Sequence, residues 1–70
     1  MTHLPQVSHV RVVRALERRG FWILRQGMHI AMTDGKVLLI IPGQHTIKPG
    51  RLRQILDAAI LTAEGFRALL

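Results

Sequence analysis

Histidine is the side chain of this sequence best suited to proton transfer near neutral pH, because a histidine in water titrates at about pH 6.5. Four are present: His3, His9, His29 and His45. Cysteine is absent, which excludes cysteine nucleophiles, disulfides and thiolate metal ligands. No pair of histidines has the spacing of a metal site, so we expect neither a metal nor a cofactor.

His29 has the most informative context of the four. It follows the segment Gln26-Gly27-Met28 and opens an apolar stretch. Gly27 would let a ligand approach the backbone closely, which makes it a candidate binding residue. On residue type alone, a strand histidine without a catalytic role is the more frequent case, so both interpretations stay open. His9 falls beside an apolar helix stripe, and His3 lies near the start of the chain, where fraying is common.

Positive charge dominates the sequence and is spread over both halves. Ten Lys and Arg against four Asp and Glu give a net charge of +6. A polyanion such as nucleic acid is therefore the first partner to consider, although solubility alone is a sufficient reason for such a charge. Two basic clusters stand out, Arg11, Arg14 and Arg18 on one predicted helix and Lys48, Arg51 and Arg53 at the start of another. Cations at a helix N-terminus oppose its dipole, and with the free amides there they form a candidate phosphate site.

Local signals predict three helices, over residues 9–19, 49–59 and 63–70. Ser8 can cap the first helix, and Gly20 ends it. Pro49 suits the first turn of the second helix, whose apolar residues recur at helical spacing. Thr62 can cap the last one.

Three strands are predicted between the first two helices, over residues 21–26, 29–33 and 36–41. Asp34-Gly35 is typical of a two-residue type I′ hairpin turn, and Pro42 ends the third strand. Such a turn would set Thr33 opposite Lys36, Ala31 opposite Leu38 and His29 opposite Ile40. His29 and Ala31 would then share one face of the sheet.

These elements predict one α+β domain over residues 1–70 with α-β-β-β-α order, a three-stranded antiparallel sheet with the helices on one face, and a short C-terminal helix. This is the layout of double-stranded-RNA-binding-like domains. The third strand is apolar on both faces, so its second face needs a cover. The closing helix, a homodimer or another protein could supply one.

A secretory signal and a membrane span are both missing from the sequence. Residues 1–6 lack a basic region followed by an apolar run, and the longest aliphatic run, residues 37–41, is far shorter than the about 18 residues of a span. We expect a soluble, cytoplasmic protein.

Several segments together resemble the HicA toxins of bacterial type II toxin-antitoxin modules. They are Leu4-Pro5-Gln6-Val7-Ser8, residues 15–21, Arg25-Gln26-Gly27-Met28-His29, Ile41-Pro42 followed by His45, residues 48–56 and residues 61–66. The resemblance covers essentially the whole chain. It implies a small ribonuclease, an mRNA interferase with a double-stranded-RNA-binding-like fold, that is neutralised by a HicB-type antitoxin. The family's functional histidine follows Gly-Ser, which assigns that role to His29 and leaves Met28 where serine is usual.

The resemblance also implies a mechanism without a metal. His29 would act as the general base on a ribose 2′-hydroxyl, with Arg25, Lys48 and Arg51 as candidates for charge stabilisation. Gly27 and Arg53 complete the candidate RNA-binding set. Two alternatives remain: a non-catalytic RNA-binding domain or inactive relative, and a module that acts through protein interaction.

Overall fold

A computed structural model describes residues 4–70, and His3 lies outside this range. The elements, in order, are α1 (His9–Arg18), β1 (Trp22–Gln26), β2 (His29–Thr33), β3 (Leu38–Pro42), α2 (Pro49–Ala58) and α3 (Ala63–Leu69). The three strands form one antiparallel sheet in the order β1-β2-β3. The predicted order of elements and the α+β fold are confirmed. No helix in residues 4–70 is long and apolar enough to cross a membrane.

Local capping signals begin and end α1 as the sequence predicts. The Ser8 hydroxyl accepts a hydrogen bond from the Arg11 amide at 3.4 Å. Val7 and Val12, on either side of this cap, are both buried and close the first turn. Gly20 follows the helix at φ 107°, a left-handed conformation that glycine adopts without a steric penalty.

The predicted two-residue hairpin turn between β2 and β3 is wrong. Thr33 lies opposite Leu38, Ala31 opposite Ile40 and His29 opposite Pro42, two residues further along β3 than predicted. The Asp34 carboxylate accepts hydrogen bonds from the amides of Lys36 and Val37, at 2.9 and 3.1 Å. These side-chain bonds stabilise a four-residue loop, residues 34–37. Because the shift is even, each side chain keeps its predicted face.

A β-bulge in β1 was not predicted from the sequence. Ile23 pairs with Met32, but Arg25 rather than Leu24 pairs with Ala31. The extra residue reverses the alternation of the strand, so Arg25 lies on the face away from the helices. A regular strand would have set Arg25 opposite Ile30, which is buried in the core.

The helices α1 and α2 cover one face of the sheet, as predicted. The core between the layers contains Val12, Leu16, Ile30, Met32, Leu39, Ile41, Leu52, Leu56 and Phe66. Phe66 is fully buried and attaches α3 to α1 and α2. The possibility that this last helix covers the second face of the sheet is therefore wrong. That face, which we call the open face, leaves Trp22, Leu38 and Ile40 between 43% and 59% exposed.

The loop of the hairpin predicts how stability depends on pH. Donation by the amides of Lys36 and Val37 holds the pKa of the Asp34 carboxyl below its usual 3.8. A lowered pKa in the folded state stabilises the fold above the unfolded pKa, and this contribution is lost as the pH falls through the folded pKa. We expect Asp34→Asn to lower the Tm at pH 7, and the difference from wild type to shrink as the pH falls below 3.8 and through the lowered pKa of the folded state. Thermal unfolding followed by circular dichroism measures it, and a difference that does not change with pH would contradict this account.

Candidate functional site

His29 is the first residue of β2 and lies exposed on the open face, opposite Pro42. It lines a surface depression of about 370 Å³ together with Pro42, Gln44, Lys48 and Arg51. The depression therefore combines one histidine with two cationic side chains, and none of its lining residues is acidic. Three residues that were candidates from sequence meet there: His29 from β2, and Lys48 and Arg51 from the distant start of α2.

The loop after β3 reaches the depression because Gly43 passes very close to the turn before β2. The Gly43 amide donates to the Met28 carbonyl at 3.1 Å. A Cβ at position 43 would lie only 2.9 Å from that same oxygen, so no side chain fits without a shift of the backbone. This contact holds the loop beside His29.

The same loop is attached to the start of α1 by three hydrogen bonds. The Gln44 carbonyl accepts from the His9 amide at 3.0 Å and lies 2.9 Å from His9 Nδ1, which must carry the proton to donate to a carbonyl. Further along, the Ile47 amide donates to the Val7 carbonyl at 2.7 Å. His9 therefore has a structural role: its ring holds the loop that carries Gln44.

The N-terminus of α2 provides a positive end next to His29. Lys48 is its N-cap residue and makes no side-chain capping bond, Pro49 follows, and the first turn has no acidic residue. The amides and the dipole at such an end attract anions, and the two cations add to this field. Arg51 lies within reach of Gln54, with Nη1 3.5 Å from Oε1. This arrangement suits a phosphate group.

Arg25 shares the open face with His29 because of the bulge in β1. It pairs with Ala31, two residues beyond His29 on the neighbouring strand. Such diagonal neighbours lie about 7–8 Å apart between Cα atoms, within reach of a long arginine side chain. Arg25 does not line the depression itself.

Three other candidates lie elsewhere. Gly27 lines a second depression, of about 310 Å³, on the α1 side of the turn, and a Cβ there would meet nothing in the described chain closer than 3.9 Å. Arg53 points to a different depression that it shares with Asp57 and Ile60. His45 is exposed and does not line the depression at His29. Among residues 4–70, no three His, Asp or Glu side chains are grouped to hold a metal.

The basic ridge of Arg11, Arg14 and Arg18 is exposed along α1, as predicted. Arg18 also has a structural role, since its Nη1 donates to the Leu69 carbonyl at 2.5 Å and attaches the end of α3. Of the three ridge arginines, Arg11 and Arg14 donate no hydrogen bond from their guanidinium groups to residues 4–70.

Gly43 and Gln44 are the site residues that the sequence did not reveal. Gly43 acts through a close backbone contact, and Gln44 through its position in a loop held by distant residues. The dipeptide Pro42-Gly43 is a turn signal, but no local pattern shows which backbone it will approach.

The fold and the depression define a small basic α+β domain with a histidine beside the positive end of a helix. The sequence profile of the family described as HicA toxin of bacterial toxin-antitoxin matches residues 10–66. No curated protein and no solved structure gives a significant match. Because the profile covers most of the chain, the protein belongs to the HicA toxin family. Members of this family are the toxin components of toxin-antitoxin modules, and membership implies an antitoxin partner.

The close approach of Gly43 predicts the effect of adding one methyl group. Gly43→Ala should lower the free energy of unfolding by about 1–3 kcal/mol, because the backbone must move away from the Met28 carbonyl. Gly50→Ala is the matched control, since a Cβ there would contact no atom beyond its chain neighbours and its own helix backbone, and alanine favours a helix by up to about 1 kcal/mol. Urea denaturation compares the two. Equal stabilities for the two variants would refute the role given to Gly43.

Proposed function

We propose that this toxin is a metal-independent endoribonuclease, an mRNA interferase, in which His29 is the general base. The observation that carries the proposal is the depression where His29 lies beside Lys48, Arg51 and the positive end of α2. A phosphodiester bound there would have its charge balanced and a base next to it. The net charge of +6 supports a polyanionic substrate.

RNA supplies its own nucleophile, so the protein needs to provide a base, charge stabilisation and a fixed geometry. Neutral His29 takes the proton of a ribose 2′-hydroxyl while that oxygen forms a bond to the adjacent phosphorus. The bond from phosphorus to the 5′-oxygen breaks, and the leaving oxygen takes a proton from solvent, to which the site is open. The products are a 2′,3′-cyclic phosphate and a 5′-hydroxyl end. DNA lacks the nucleophile and is not cleaved.

Lys48 and Arg51 stabilise the negative charge that develops on the phosphate oxygens, and Arg25 contacts a neighbouring phosphate across the open face. The Arg11 and Arg14 side chains extend the basic surface along α1. Arg53 is left out of this set, because it lines a separate depression with Asp57. The partner that neutralises the toxin is a HicB-type antitoxin, and both act in the cytoplasm.

Two observations favour a second candidate, a non-catalytic RNA-binding relative. Met28 is 88% exposed beside His29, in the place where the family usually has serine, and so offers the site no hydroxyl. No carboxylate lines the depression to orient the histidine ring. Under this alternative the chain binds RNA through its backbone, with strong salt dependence and no cleavage.

Replacement of His29 tests the proposed chemistry. We expect His29→Ala to lower the rate of RNA cleavage by about 10²- to 10⁴-fold, because it removes the general base. RNA binding should be nearly unchanged, because the lysine and arginine side chains that bind the phosphates remain. The measurement is cleavage of a long RNA in EDTA, with analysis of the product ends for cyclic phosphate.

His45→Ala is the matched control, since His45 is exposed in the neighbouring loop and does not line the depression. It should cleave like wild type. Normal cleavage by His29→Ala would refute the proposed base. Absence of cleavage by folded wild type would favour the binding alternative, and Met28→Ser would then be the first variant to assay for activity.

A second test separates the two arginines of α2. Arg51→Ala should weaken RNA binding and reduce the slope of log K against log salt by about 1, because one phosphate contact is lost. Arg53→Ala removes the same charge two residues away on another side of the helix and should change that slope much less. Binding of a non-cleavable RNA at several salt concentrations measures both. Equal effects would mean that overall charge rather than this site binds RNA.

A further inference from the structure

The two edges of the sheet differ in how they are protected against pairing with another strand. The edge strand β1 has a bulge at Leu24 and ends in Arg25 and Gln26. Bulges and charged side chains are the usual protection of an edge. By contrast, β3 pairs regularly with β2 over its whole length and contains only Leu, Ile and a final proline. Apart from that proline at its end, it is the unprotected edge of this sheet.

The hydrogen bond from Gly43 to Met28 determines which backbone groups of β3 point outward. In an antiparallel ladder, hydrogen-bonded pairs alternate with pairs that make no bond to each other. Met28 and Gly43 form a hydrogen-bonded pair. The pairs Ile30–Ile41 and Met32–Leu39 are therefore hydrogen-bonded as well. The N–H and C=O groups of Leu38 and Ile40 therefore point away from β2. Within residues 4–70 they have no hydrogen-bond partner.

Pro42 belongs to the same outward-facing series. Its missing N–H therefore costs the β2–β3 ladder no hydrogen bond, which explains why a proline can stand in this strand. Its carbonyl is already used by the Gln44 amide at 2.9 Å. The free edge is therefore limited to Leu38 and Ile40, enough for a short added strand.

A groove runs along this edge, between β3 and α2. It is lined by Leu38, Leu39, Ile40, Arg51, Gln54, Ile55 and Ala58. Leu38 and Ile40 are 59% and 43% exposed and offer apolar contacts on the open face. On the α2 side, Arg51 is the one charged residue of the lining, and it is positive. An occupant should therefore be extended, apolar on one face and acidic on the other.

We propose that β3 is a docking edge for an extended acidic segment of a partner protein, which adds a fourth strand to the sheet by pairing with Leu38 and Ile40. When a peptide adds a strand to a sheet, backbone hydrogen bonds provide affinity, and the alternating side chains of the peptide provide specificity. Carboxylates of the segment face Arg51, and its aliphatic side chains pack beside Leu38 and Ile40. A second copy of this chain fits less well, because it would bring together two bodies of charge +6 and two Arg51 side chains. This inference goes beyond the proposed function and does not depend on RNA cleavage.

Amide hydrogen exchange on the full chain tests the pairing directly. The probe is a seven-residue peptide with capped ends in which valine alternates with glutamate. In the free protein, the Leu39 and Ile41 amides should be protected by β2, whereas those of Leu38 and Ile40 exchange freely. With peptide at about 1 mM, exchange at Leu38 and Ile40 should slow at least about tenfold, which corresponds to a Kd well below that concentration. The same peptide with lysine in place of glutamate is the control and should protect neither.

Two variants at one position separate the backbone from the side chain. Ile40→Pro removes an outward N–H and leaves the bonds to β2 in place, and we expect it to weaken peptide binding at least about tenfold. Ile40→Val keeps the N–H and should bind within about twofold of wild type. Protection of Leu39 and Ile41 reports whether each variant is folded. If the proline variant fails to fold, the exchange result with wild type decides.

Four outcomes would overturn the proposal. The first two are that the acidic peptide does not slow amide exchange at Leu38 and Ile40, and that the lysine peptide slows it equally. The third is that exchange there slows without peptide as the protein concentration rises. The fourth is that a short RNA, and not the peptide, slows it. The third would indicate a homodimer through β3. Cleavage of RNA by wild type is measured separately, so failure here leaves the ribonuclease proposal standing, and the reverse also holds.

Discussion

The contact between the Gly43 amide and the Met28 carbonyl is the constraint on which the candidate site depends. It extends the β2–β3 ladder by one pair beyond the strands and brings the loop after β3 against the start of β2. His29 and Pro42 become a pair without mutual hydrogen bonds, the closer of the two kinds of antiparallel pair, with Cα atoms about 4.5 Å apart. The loop then passes the start of α1 through His9 and enters α2 at Lys48. Three chain segments meet at one point because a single glycine allows two backbones to touch.

The sheet divides the molecule into a stable side and an exposed side. The helix-covered face contains the whole core, whereas the open face combines polar site residues with apolar side chains that remain in contact with water. Exposed apolar surface of this kind promotes association with a partner or aggregation. Membership of a toxin-antitoxin family implies an antitoxin partner, and the open face is where apolar side chains are left uncovered in the free chain.

Much of the fold could be predicted because its signals are local. Ser8 and Thr62 accept hydrogen bonds from amides three residues ahead, at Arg11 and Gly65, and both helices begin where these caps predict. Gly20 adopts the left-handed conformation expected at the end of α1. The hairpin shows the limit of such signals. The dipeptide Asp34-Gly35 favours a tight turn, but the Asp34 carboxylate gains more by accepting two amides in a longer loop.

The sequence by itself determined the order of the elements, the faces of β2 and β3 and the candidates His29, Lys48 and Arg51, because capping, turn chemistry and periodicity act between residues a few positions apart. Only the tertiary structure decided that these three residues line one depression and that Arg53 lies elsewhere. It also decided the bulge that brings Arg25 to the open face, and the register that sets Pro42 opposite His29. The physical reason is that strand register and bulges depend on how whole strands fit against a core, and on contacts such as Gly43 with Met28 between residues distant in sequence.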